Sequence, residues 1–237
     1  MKEKIILFTR VPKVGTTKTR LYDFMLPTEA VNIQRKLLKK NYDLLAETNR
    51  ELLVCHDGNS SDDKEMAELI SCDKFYYQKG DNLGDKMYNA LEEVISDSKV
   101  ILLGSDIFNL DKDIIEEAFE KLETHDIVTN PSEDGGYFLI GMKKAIKEVF
   151  DLPSYGDSSV LENLIKVLEK NNLTYYLGRA ALDIDIKEDL LYAETGYKNI
   201  KLLGAGEYNI NFTFDEDNMK KVLRLNMKSQ MNLDNQI

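Results

Sequence analysis

The chain has 237 residues, of which 43% are hydrophobic, and a formal net charge of −11. This length and hydrophobic content suffice for one α/β core with a small appendage. The negative charge argues against binding to nucleic acid, which requires dense Lys and Arg. The longest apolar runs fall far short of the roughly 20 residues that span a bilayer, and no signal peptide precedes them. We therefore predict a cytoplasmic protein without a membrane partner.

Apolar runs of strand length alternate with helical periodicity along most of the chain. The predicted strands cover residues 4–9, 51–55, 75–78, 100–103, 126–129, 136–140 and 175–177. The predicted helices cover residues 28–48, with Thr28 as N-cap, and 63–70, 84–96, 111–122, 143–150 and 158–170. Such alternation predicts an α/β domain with a mostly parallel sheet and ligands at the carboxyl ends of its strands.

From residue 198 onward the pattern changes to strand, turn, strand, with a glycine-rich entry. We therefore place a boundary near Tyr197. The predicted domains are residues 1–197 and 198–237.

The loop after the first strand concentrates cations, hydroxyl side chains and a glycine. The candidate phosphate-binding residues are Thr9, Arg10, Gly15, Lys18 and Arg20. Glycine lets the backbone approach a phosphate, and Lys and Arg offset its charge. The alternative is a solvated basic loop, and the spacing of a Walker loop is absent.

Carboxylates follow two predicted strands. Asp106 comes directly after the most apolar strand, where it could hold Mg²⁺ or Mn²⁺ against a diphosphate. Asp183 and Asp185 lie on one face of an extended segment and could complete that metal site. Alternatively, Asp106 forms an Asx turn or caps the next helix, and Asp185 or Lys187 begins another helix.

Two further loops carry glycines beside acidic residues. Asp134, Gly135 and Gly136 suggest close backbone approach to a ligand, with Asp134 as hydroxyl acceptor or acid/base, although a hairpin turn needs the same residues. The second loop leads into a helix and could contact a base or sugar, or be a plain capped turn. Its candidate residues are Gly80, Asp81 and Gly84.

Five motifs occur in register over residues 4–195. They are Thr9-Arg10-x-Pro12-x-x-Gly15-x-Thr17-Lys18-Thr19-Arg20-Leu21, Gly80-Asp81-x-Leu83-Gly84-x-x-Met87, Gly104-Ser105-Asp106, Glu133-Asp134-Gly135-Gly136-Tyr137-x-Leu139-Ile140-Gly141 and Asp183-Ile184-Asp185-x-x-Glu188-Asp189-Leu190. Together they resemble the radical-SAM and selenodomain-associated transferases. That group is a branch of the GT-A nucleotide-diphospho-sugar transferase superfamily, which includes the molybdenum cofactor guanylyltransferases.

The resemblance implies a Rossmann-like GT-A fold that binds a nucleotide and a divalent metal. It implies that Lys18 and Arg20 meet the phosphates, that Ser105 and the glycine loops line the nucleotide site, and that Asp106 holds the metal. By the same resemblance Asp134 serves the acceptor, and Asp183 or Asp185 supplies the second metal position. Relatives usually have Cys-Pro after the Ser-Asp pair and Thr-Pro after the Asp-x-Asp motif. This chain has Ile107-Phe108 and Ile186-Lys187 there.

The tail resembles another family. Gly204-x-Gly206-Glu207-Tyr208-Asn209-x-Asn211, with Val222-Leu223-Arg224, is similar to the nucleotide loop and third strand of choline and aminoglycoside kinase-like phosphotransferases. The sequence stops before a kinase catalytic loop, so we expect a fragment of a two-domain protein with no kinase activity of its own. The alternative is a hairpin that packs on the transferase sheet.

Three functions remain open from the sequence. The favoured one is metal-dependent nucleotidyl transfer from a nucleoside triphosphate to a phosphorylated small molecule. The second is glycosyl transfer from a nucleotide-diphospho-sugar. The third is a non-catalytic domain that binds nucleotide or docks a neighbour. The sequence does not decide the base, the acceptor or the oligomeric state.

Overall fold

The computed structural model describes residues 1–195 of the chain. The predicted boundary near Tyr197 and the kinase-like segment 198–237 lie outside these residues. The chain divides into two compact units: a first unit of Met1–Val11 and Leu37–Asp183, and a second unit of Pro12–Lys36 and the chain from Ile184 onward.

The first unit contains a seven-stranded sheet in the order β3-β2-β1-β4-β6-β5-β7. Its strands are β1 Lys2–Thr9, β2 Glu51–His56, β3 Phe75–Tyr77, β4 Ser98–Gly104, β5 Ile127–Pro131, β6 Tyr137–Met142 and β7 Tyr175–Leu177. Strand β6 runs antiparallel to both β4 and β5, whereas the other pairs are parallel. The predicted α/β fold with a mostly parallel sheet is therefore confirmed.

Six α-helices lie within the described residues. They are α1 Pro27–Ala46, α2 Asp63–Ile70, α3 Leu83–Val94, α4 Lys112–Lys121, α5 Val160–Lys170 and α6 Lys187–Thr195. None of them is long and apolar enough to cross a membrane.

The central strand β4 is buried along both of its faces. Since successive side chains point to opposite faces, Ile101 packs in one core cluster with Leu38 of α1, and Leu102 packs in another with Leu91 of α3. Gly104, the last residue of β4, is the only residue of this strand that is not fully buried.

Two predicted helices differ from the structure. Helix α1 begins at Pro27, so Thr28 is not its N-cap. Proline is well suited to a first helical position, and the Glu29 carboxylate accepts a hydrogen bond from the Leu26 N–H at 2.9 Å. The predicted helix 143–150 was wrong in length: only a 3₁₀ turn at Lys147–Phe150 forms, because Ile146 before it has extended backbone.

Gly84 provides a test of the packing of α3. A Cβ at this position would lie 2.2 Å from the Phe150 carbonyl oxygen. We therefore expect Gly84→Ala to lower the free energy of unfolding by about 1 to 3 kcal/mol, measured by urea denaturation. Lys86→Ala on the same helix is the control, and equal stability of the two variants would contradict this packing.

Candidate active site

A cavity of about 250 Å³ opens in the first unit beside the carboxyl end of β4. Three predicted site carboxylates line it, those of Asp106, Asp134 and Asp183, together with Gly136. The other carboxylate in its wall belongs to Asp157, and no cationic side chain of the described part of the chain lines the cavity. An anionic nucleotide bound here therefore requires compensating positive charge.

Asp106 follows the rigid end of β4. Its neighbour Ser105 is buried, and the Ser105 hydroxyl hydrogen-bonds the Thr9 hydroxyl at the end of β1, with 2.7 Å between the oxygens. Both residues were predicted to contact nucleotide. The structure shows a structural role for their hydroxyls, since this hydrogen bond joins the ends of the two central strands.

Asp183 is held beside the cavity by backbone contacts with residues 107–109, which follow β4. Ile107 and Asp183 form an antiparallel bridge, and the Phe108 N–H donates to the Leu182 carbonyl at 2.7 Å. The Leu182 N–H in turn donates to the Asn109 side-chain oxygen at 2.8 Å. These contacts bring Asp183 and Asp106 to the wall of one cavity.

The two carboxylates fit a divalent metal ion of the Mg²⁺ type. Such an ion keeps several waters and is held by one or two carboxylates plus substrate phosphates. Residues 1–195 contain no group of three or more His, Cys, Asp or Glu side chains gathered as a metal cage. The donor set therefore suits an ion that arrives with a nucleotide rather than one held by protein alone.

Asp185 belongs to the second unit, where it pairs with two predicted phosphate-binding cations. Its carboxylate lies 3.8 Å from the Lys18 ammonium and 2.8 Å from the Arg20 guanidinium. Lys18 is buried and adopts a left-handed backbone conformation. Asp183 lines the cavity together with Asp106, whereas Asp185 is not among the residues of its wall, so Asp183 is the stronger candidate for a metal ligand.

The Asp134 loop forms a tight turn. One carboxylate oxygen accepts hydrogen bonds from the Gly136 N–H at 2.9 Å and from the Ser132 hydroxyl at 2.5 Å. Gly135 has a φ of +92°, and a Cβ there would lie 2.4 Å from the Ser158 carbonyl oxygen. Gly135 is thus required by the turn and its packing, while the exposed Asp134 faces the cavity.

Four further residues predicted to contact the nucleotide lie in the loops after β1 and before α3. Gly80 has a φ of +137°, and Asp81 after it is exposed. Gly15 has a φ of +92°, and its N–H donates to the Tyr22 hydroxyl at 2.8 Å. Arg10 is exposed at the end of β1. Their roles in nucleotide binding stay predictions.

Sequence reasoning missed an aromatic wall of the cavity formed by Phe8, Tyr137, Phe138 and Tyr155. The Tyr155 hydroxyl donates to the Phe150 carbonyl at 3.0 Å. Burial raises the pKa of Tyr155 to about 12 and that of Tyr137 well above its ordinary value. Both phenols are therefore neutral hydrogen-bonding groups at physiological pH. Tyr137 stood in a recognised motif, whereas no local signal marked Tyr155.

The sequence is similar to known proteins over most of its length. Residues 40–157 match the model of a family described as an uncharacterized protein conserved in bacteria (DUF2064). A 2-phospho-L-lactate guanylyltransferase from Methanocaldococcus jannaschii is 29% identical over 200 residues, which cover 80% of this chain and 81% of that enzyme.

Solved structures of other proteins share the fold of this chain. A crystal structure from Desulfovibrio desulfuricans, provisionally named a nucleotide-diphospho-sugar transferase, is 26% identical, with a TM-score of 0.80 over 96% of each chain. The chain is a transferase. A 4-diphosphocytidyl-2C-methyl-D-erythritol synthase from Anaerococcus prevotii, 11% identical, shares the fold with a TM-score of 0.51 over 80% of this chain and 94% of its own. The predicted radical-SAM association and kinase-like tail remain predictions.

Tyr155 provides a pH test of the cavity wall. Since its folded-state pKa lies above that of the unfolded chain, the neutral phenol stabilises the fold fully below pH 10, and this contribution is lost as the pH rises towards 12. We expect the loss to reach roughly 1 to 2 kcal/mol after solvent screening. Urea denaturation from pH 8 to 11.5 should show a smaller decline for Tyr155→Phe, and parallel curves would contradict the burial of this phenol.

Proposed function

We propose that the protein transfers a nucleotidyl group from a nucleoside triphosphate to the phosphate of a small phosphorylated molecule. The observation that carries this proposal is the pairing of Asp106 and Asp183 on the wall of one cavity at the carboxyl end of β4. The similarity to a guanylyltransferase over most of both chains supports the reaction class and makes GTP the first donor to test.

In this proposal Asp106 and Asp183 would hold a divalent cation, which would neutralise charge on the triphosphate when bound. An oxygen of the acceptor phosphate attacks the α-phosphorus, the bond to the bridging α–β oxygen breaks, and pyrophosphate leaves. No protein nucleophile is required.

The chain itself supplies positioning and charge. Asp134 accepts hydrogen bonds from acceptor hydroxyl groups, and the neutral phenols of Tyr137 and Tyr155 orient the bound molecule without adding charge. Lys18 and Arg20 remain the predicted cations that offset phosphate charge. Asp185 is then the carboxylate that keeps their side chains in place.

Glycosyl transfer is the second candidate, because the structure with a TM-score of 0.80 is provisionally named a nucleotide-diphospho-sugar transferase. In that reaction the nucleoside diphosphate is the leaving group. The products separate the two functions. Incubation with each nucleoside triphosphate and a set of phosphorylated acceptors should release pyrophosphate, whereas release of nucleoside diphosphate from a sugar nucleotide would favour glycosyl transfer.

Asp106 is the first residue to change. We expect Asp106→Asn to lower kcat for pyrophosphate release by about 100-fold or more, because charge stabilisation of this kind contributes several kcal/mol. Asp183→Asn should act in the same direction. The control is Asp113→Asn, an exposed carboxylate in the first turn of α4. Normal turnover of the Asp106→Asn variant would refute a metal-binding role for this residue.

Substitution of Gly104 tests whether the position of the Asp106 carboxylate matters, because it leaves Asp106 itself unchanged. A Cβ at Gly104 would lie 3.1 Å from one Asp106 carboxylate oxygen, so that the carboxylate must move by a few tenths of an ångström. Since misplacement by 1 Å reduces rates by roughly 100-fold, we expect Gly104→Ala to lower kcat about tenfold. Calorimetry should show a nearly unchanged Tm, and a kcat equal to that of the parent protein would show that this position tolerates displacement.

A further inference from the structure

Asn41 is a fully buried polar residue in the part of α1 that belongs to the first unit. Its side-chain nitrogen donates to the carbonyl oxygens of Ser105 at 3.0 Å and Ile107 at 2.9 Å. These carbonyls belong to the residues immediately before and after Asp106. One amide therefore holds the peptide group just before the proposed metal ligand and the peptide group that follows Ile107.

The orientation of this amide follows from its partners. Carbonyl oxygens accept hydrogen bonds only, so the Asn41 nitrogen must face them. The Asn41 side-chain oxygen is left buried with no hydrogen-bond partner among the described residues. A buried oxygen without a hydrogen-bond partner destabilises the folded state. Asn also has a low helix propensity, so its place within α1 adds a second penalty. An apolar side chain would avoid both penalties, so the amide is better explained by the segment that it holds.

A second contact from the same helix reaches the same segment. The Lys40 ammonium donates to the Phe108 carbonyl oxygen and lies 5.3 Å from the centre of the Phe108 ring. On its other side the segment is joined to Leu182 and Asp183. The turn that carries Asp106 is thus attached to two separate parts of the first unit.

We infer that Asn41 is a positioning residue for Asp106. By fixing the carbonyls of Ser105 and Ile107, it sets the direction in which the Asp106 carboxylate leaves the backbone at the cavity wall. The inference rests on the proposed function, in which Asp106 holds a divalent cation. Asn41 itself does not line the cavity.

Two variants and one control test this inference. Asn41→Leu keeps a similar volume and removes the amide, and Asn41→Ala removes the side chain. Leu45→Ala is the control, since Leu45 is fully buried one turn further along α1 and packs in the core. We expect all three proteins to show altered Tm, because each change affects buried groups.

The distinguishing readouts are Mn²⁺ affinity and the separate kinetic constants. Mn²⁺ binding is followed by electron paramagnetic resonance of the free ion, with and without GTP. We expect both Asn41 variants to weaken Mn²⁺ binding about tenfold and to lower kcat about tenfold, with the KM for the acceptor within twofold. Leu45→Ala should leave Mn²⁺ affinity and kcat unchanged.

Two results would overturn the inference: Mn²⁺ affinity of both Asn41 variants equal to that of the unmodified protein, or an equal loss of affinity in Leu45→Ala. If Asn41→Ala does not fold, Asn41→Leu and the control decide between these outcomes.

Failure of the proposed function gives a different pattern, in which the unmodified protein binds Mn²⁺ but releases no pyrophosphate. In that case a specific loss of Mn²⁺ affinity in the Asn41 variants still supports the positioning role. Absence of Mn²⁺ binding by the unmodified protein would overturn both the proposed function and the positioning role of Asn41.

Discussion

The burial of β4 on both faces is the constraint on which the site depends. Apolar side chains on both faces pack into two separate cores, and this rigidly places the strand end at Gly104. This placement sets where Asp106, two residues further on, leaves the strand. Asp106 accordingly lies half-buried at the wall of a cavity, where solvent and ligands can reach it.

Electrostatics then determine what this cavity can bind. The described charged side chains that line it are carboxylates, so it repels a phosphate chain unless cations compensate. The cations predicted from sequence, Lys18 and Arg20, lie in the second unit, where both pair with the single carboxylate of Asp185. A divalent ion is a compact source of positive charge for the carboxylates of Asp106 and Asp183. The proposed chemistry therefore includes a divalent metal for charge compensation, while the acceptor phosphate supplies the nucleophile.

Several glycines that suggested ligand contact from the sequence are also explained by packing and turns. Gly84 lies against the Phe150 carbonyl, and Gly135 lies against Ser158 with a left-handed backbone. Glycine in a loop beside acidic residues therefore indicates that another group comes close to its backbone. At these two positions that group belongs to the same chain and not to a ligand. Asp134 differs from these glycines, because its side chain lines the cavity. It lies in the turn that contains Gly135 and Gly136.

The sequence by itself determined the α/β alternation, most element positions and the location of Asp106 after the most apolar strand, because these depend on local periodicity. It also indicated a nucleotide-dependent transferase through five motifs in register. Only the tertiary structure decided that β6 runs antiparallel, that Asp183 rather than Asp185 shares a cavity with Asp106, and that Tyr155 forms part of its wall. These features depend on contacts between segments far apart in the chain. Ile107 meets Asp183, and Asn41 meets Ser105, through hydrogen bonds that no local pattern encodes.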